Sequence, residues 1–84
     1  MRYIYTVIHP NNEQFVTITD EEADLTWLQE AVGGWIELIR TSRFDGDIWV
    51  NEEGLIKRLE YNHMASLLVG QHLVGPVIFA EVEL

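Results

Sequence analysis

Four of the five basic residues, Arg40, Arg43, Lys57 and Arg58, lie between positions 40 and 58. Guanidinium forks beside an ammonium are groups that grip a phosphate or carboxylate. Trp35 and Trp49 stand in the same stretch and offer indole faces on which a base can stack, while Asn51 and Asn62 supply amides for polar readout. These eight residues make up a candidate binding site for a small anionic ligand. The competing expectation is ordinary ion pairing of the cations with Glu37, Asp45 and Glu60, with the tryptophans filling the core.

Catalytic and metal chemistry find less support. His9, His63 and His72 are the only histidines, and none stands three or four residues from another, the spacing a helical metal pair requires. Asp45, Asp47, Glu52 and Glu53 lack the loop spacing of a calcium hand and read as a solvated acidic rim. Ser42 and Ser66 have no elbow setting and no identifiable base. Glu37 with Glu52 or Glu53 could form an acid–base couple, but an acid-rich chain offers many such pairs. Gly33-Gly34 lacks the lysine and spacing of a phosphate loop and marks a helix end. The chain is expected to be non-enzymatic, with no metal and no cofactor.

Composition narrows the partners. The 84 residues suit one domain over positions 1–84, and 48% apolar with 11% aromatic content is enough to build a core. No cysteine is present, which removes disulfides and thiolate chemistry and fits a reducing compartment. Fourteen Asp and Glu against five Lys and Arg give a net charge of −9, which repels nucleic-acid backbones and anionic lipid. Direct nucleic-acid binding and membrane binding are not expected. The amino end lacks a signal-peptide pattern, and the apolar stretch Leu67 to Ala80 is too short to span a bilayer and is broken by Gln71, His72 and Pro76. A cytoplasmic protein is expected. The same charge suggests a second function: an inhibitor whose acids, Asp20, Glu21, Glu22 and Asp24 among them, imitate nucleic-acid phosphates and capture a host protein.

The elements that must position these side chains follow from periodicity. Tyr3 to His9 alternates as a strand, Pro10-Asn11-Asn12 turns it, and Phe15 to Ile18 returns. Thr19-Asp20-Glu21-Glu22 has capping-box spacing and predicts a helix start, with Leu25, Leu28 and Val32 on its core face and Gly33 as its stop. Trp35 to Arg40 and Asp47 to Asn51 read as a central hairpin across a loop from Thr41 to Gly46. Leu55 to Leu59 reads as a short strand or extended edge. Asn62 is predicted to cap a short helix through Met64, Leu67 and Leu68 that ends near Gly70. Val77 to Leu84 reads as a half-buried closing strand with Ile78, Ala80, Val82 and Leu84 inward. The fold class is α+β: a small, mostly antiparallel sheet of about five strands with two short helices packed on it. Exposed edge strands make a homo-oligomer, specifically a symmetric dimer, reasonable.

The segment Leu28-Gln29-Glu30-Ala31-Val32-Gly33-Gly34-Trp35-Ile36-Glu37, followed by Val50-Asn51-Glu52-Glu53-Gly54, then Asn62 with Ala65, then Val74-Gly75, resembles a family of small proteins of unknown function. That family is found in bacteriophages, plasmids and actinobacterial or archaeal genomes. The likeness covers roughly residues 20 to 82. Members typically carry proline before the helical Asn, where this chain has Glu60-Tyr61-Asn62. The resemblance implies a compact α+β domain of a mobile element with no agreed catalytic residues. On that basis the expected function is a non-enzymatic accessory protein that counters a host process in the host cytoplasm. Sequestration of a small nucleotide signal is the leading form of that expectation, and the acidic host-protein inhibitor is the alternative.

Overall fold

The structure, a computed structural model, describes residues 1–84. Arg2–Ile8 form strand β1 and Gln14–Thr19 form β2, paired antiparallel from Tyr3↔Thr19 to Ile8↔Gln14. Asn12 takes φ 71° in the connecting turn, a left-handed conformation that its short amide side chain tolerates. Helix α1 spans Leu25–Val32, and Asp24, not Thr19, is its N-cap, its carboxylate accepting from the Trp27 amide at 2.9 Å. The predicted start fails because the ladder to Tyr3 holds Thr19 as the last residue of β2. Asp20, Glu21 and Glu22 therefore lie in a connector rather than in a first helical turn. The predicted stop holds: Gly33 is left-handed at φ 80°, and its amide donates to the Gln29 carbonyl.

Strand β3, Ile36–Thr41, pairs with β4, Phe44–Asn51, across a turn of only Ser42 and Arg43. The expected loop to Gly46 is absent because Asp45 and Gly46 are part of β4. Gly46 is needed there for a different reason from turning: a Cβ on it would overlap the Ala80 carbonyl oxygen. Leu55 to Leu59 is not a strand, since its amides close back on the chain: Lys57 N–H donates to Glu53, Arg58 to Leu55 and Leu59 to Gly54. The last two bonds form a Schellman-type stop with Arg58 at its left-handed position, φ 55°. Helix α2 spans His63–Val69 between Asn62 and a left-handed Gly70, as expected, but buries Ala65, Ser66 and Val69. Leu67 and Leu68, named from the sequence as part of this helix, are 64% and 52% exposed.

Strand β5, Val77–Glu83, occupies the middle of a five-stranded antiparallel sheet ordered β2-β1-β5-β4-β3. The β3–β4 hairpin, expected at the centre, lies at one edge. Tyr5, Val7 and Ile78 pack against Leu28 and Val32 of α1 on one face of the sheet. Ile8, Ile48, Val50, Val77 and Phe79 pack against Ala65 and Val69 of α2, with Leu73, on the other. With both faces covered, Val77, Ile78 and Phe79 are buried in succession, while Val82 and Leu84 beyond the helices are exposed. Burying each large side chain of this set stabilises the fold by ~1.5–3 kcal/mol. No helix is long and apolar enough to cross a membrane.

Candidate functional site

The β3–β4 hairpin separates the predicted anion-binding residues. Arg40 is at the turn end, its guanidinium 3.7 Å from Asp47 and its side chain 73% exposed. Arg43 is in the turn itself, where its Nη1 donates to the Leu67 carbonyl at 3.0 Å and its guanidinium lies over Gly70. Lys57 is 3.7 Å from Glu53 and beside Gly34, just before the other end of β3. Arg58 follows it, exposed and without an ion pair. From Ile36 to Thr41 the strand covers roughly 17 Å at about 3.3 Å per residue. Arg40 and Arg43 thus lie toward one end of β3 and Lys57 and Arg58 beyond the other, and the carboxylate partners of Arg40 and Lys57 are Asp47 and Glu53 rather than Glu37, Asp45 or Glu60.

The remaining predicted contacts also part company. Trp35 is 63% exposed near Lys57, whereas Trp49 is half-buried against the core under α1. Asn51 is buried, its Nδ2 donating to the Val32 carbonyl and its Oδ1 accepting from the Glu53 amide. Asn62 is wholly enclosed, donating to the carbonyls of Ile8 and Gly75 and accepting from the Ala65 amide. Both amides hold backbone segments together in the interior. No group of three or more His, Cys, Asp or Glu side chains is placed to hold a metal ion.

The structure gathers a different set of side chains. Tyr3 pairs with Thr19 on one side and Val82 on the other, and Asp47 pairs with Ala80, so one end of the sheet collects three acidic segments. These are Asp20, Glu21, Glu22 and Asp24 in the β2–α1 connector, Asp45 and Asp47 on β4, and Glu81 and Glu83 on β5. They account for eight of the fourteen carboxylates in the chain. Arg2 pairs with Glu83 and Arg40 with Asp47; the other six have no cation within ion-pairing distance. The connector is anchored from below, the Ala23 amide donating to the Tyr5 hydroxyl at 2.8 Å. The Tyr5 and Trp27 rings, 5.2 Å apart, floor a recess of ≈ 260 Å³ walled by Glu21, Glu22 and Asp24.

A larger groove, ≈ 740 Å³, opens beside it between β4 and β5 and is lined by Ser42 to Asp47 and by Ala80, Glu81 and Val82. It exists because β5 pairs with β1 as far as Glu83, but with β4 only as far as Ala80. Sequence reasoning noted the acids but missed this end and its groove, because only the long-range strand register creates them.

A family model described as a domain of unknown function, DUF3846, matches residues 1–83. The chain belongs to this family. The match extends beyond the segment carrying the sequence resemblance to include β1 and β2, so the DUF3846 domain takes in every strand of the sheet. No curated protein matches the chain, and no solved structure matches it.

Proposed function

We propose that this DUF3846 domain is a non-enzymatic binding protein that docks on a basic protein through the acidic end of its sheet. The observation that carries this reading is the gathering there of six carboxylates without a cation partner. Such a surface accelerates encounter with a positively charged face and disfavours acidic competitors. The separation of Arg40 and Arg43 from Lys57 and Arg58 favours this reading over sequestration of a small nucleotide, which needs cations on one surface. In the setting implied by the motif resemblance, an accessory protein of a phage or plasmid, the partner is a cytoplasmic host protein whose phosphate-binding surface the carboxylates occupy.

The test compares the parent with Asp20→Lys, Glu21→Lys, Glu22→Lys combined. Asp24 is left intact because it caps α1. The parent should retain basic nucleic-acid-binding proteins at low salt and release them near ~0.5 M salt, where screening shortens to a few ångströms. The triple variant should retain none of them. Equal capture by both chains would sink the reading.

A further inference from the structure

We infer that the groove between β4 and β5 receives an extended peptide segment carrying Lys or Arg side chains, which adds a short strand to the sheet. The inference rests on the acidic-end reading and specifies how the partner is held. Beyond Ala80, Glu81–Glu83 have no strand on their β4 side, and Phe44–Gly46 have none on their β5 side. Alternate peptide groups along these segments point into the groove, the arrangement that recruits a further strand. Gly46, with no side chain, stands at the inner end against the Ala80 carbonyl, where the two strands begin to part.

The side chains select the occupant. Asp47 lies opposite Ala80 on the face covered by α1, and Glu81, the next residue on β5, points to the other face. Both alternating rows of an inserted strand therefore meet a carboxylate, and Asp45 adds a third on the lining. The one cation on the lining, Arg43, donates to the Leu67 carbonyl on α2. Three carboxylates against one engaged guanidinium repel an anionic ligand. They equally repel a second copy of a chain with net charge −9.

The probe is the peptide acetyl-Lys-Lys-Val-Lys-Lys-amide, which sets lysines in both alternating rows. Its controls are a twin N-methylated on alternate residues and a version with Glu in place of Lys. Calorimetry and backbone amide NMR follow binding to the whole chain. The lysine peptide should shift the amides of Asp45, Gly46, Glu81 and Val82 and slow their hydrogen exchange. N-methylation should weaken it by about tenfold or more through lost backbone hydrogen bonds. The glutamate peptide should not bind. Asp45→Lys with Glu81→Lys, checked for an unchanged melting curve, should abolish binding. Equal affinity of the N-methylated twin, shifts confined to Asp20–Glu22, or no binding of the lysine peptide would overturn the inference. Failure of the acidic-end reading is recognised separately, by undiminished protein capture in the connector triple variant.

Discussion

Asn62 offers the sharpest test of how this chain is held together. It has no exposed surface, and its side chain makes three hydrogen bonds: Nδ2 to the Ile8 carbonyl at 2.8 Å and to the Gly75 carbonyl at 2.9 Å, and Oδ1 from the Ala65 amide at 3.1 Å. One residue thus caps α2 and ties it to the end of β1 and to the entry of β5. In Asn62→Ala two carbonyls and one amide lose their partners in a dry interior, at ~1–3 kcal/mol for each unsatisfied group. With partial relaxation the loss is about 3–5 kcal/mol. At ~0.05–0.15 kcal/mol per residue, a chain of this size has roughly 4–13 kcal/mol in all. The melting temperature should fall by more than ~12 °C, or the cooperative transition should vanish. Asn62→Asp, nearly the same shape, retains the acceptor for Ala65 but can neither donate to Ile8 nor to Gly75, and it sets a carboxylate against their oxygens. It should be at least as damaging as alanine. Urea and thermal melts followed by circular dichroism measure both variants. A melting point for Asn62→Ala within a couple of degrees of the parent would refute the argument and reopen Asn62 as a ligand contact.

Arg58→Gly should stabilise the protein, since arginine occupies a left-handed stop at φ 55° and its side chain makes no ion pair. The gain is about 0.5–1 kcal/mol after the extra unfolded-state entropy of glycine, read as a melting point raised by ~2–8 °C. Asp24→Ala should cost about 1 kcal/mol by removing the α1 cap, with faster hydrogen exchange at the Trp27 amide as its local signature. Gly46→Ala should push β4 from β5 and cost ~1–3 kcal/mol, with amide shift changes centred on Ala80.

What could be read from the sequence was what neighbouring residues decide among themselves. Asn62, Gly33 and Gly70 mark helix ends by local hydrogen bonding and φ, and each stands where expected. Thr19 misled because its spacing to Glu22 fits a cap equally well; its competitor is Tyr3, a strand partner sixteen positions away in the chain. Asp45-Gly46 has turn chemistry, yet Gly46 is used for close approach to Ala80, a residue far along the sequence. The alternation of Val77–Glu83 announced a strand but not its central place, which depends on the two helices taking opposite faces. The cations do not converge for the same reason. Nearness in sequence put Arg40, Arg43, Lys57 and Arg58 in one cluster, but antiparallel pairing sends the first two to the turn and the last two past the open end. The acidic end was visible as composition and became a place only through the register of β1, β4 and β5.

The central position of β5 also dictates an order of events during biosynthesis. The β1–β2 and β3–β4 hairpins close locally as the ribosome releases them, but neither touches the other until β5, made after both, slots between β1 and β4. Until then each carries an unzipped inner edge, and the two halves are bridged only by the helices, which pack on both. A nascent chain stalled before Val77 therefore holds two ribbons whose inner edges are unpaired, and the arrival of seven residues converts them into one sheet.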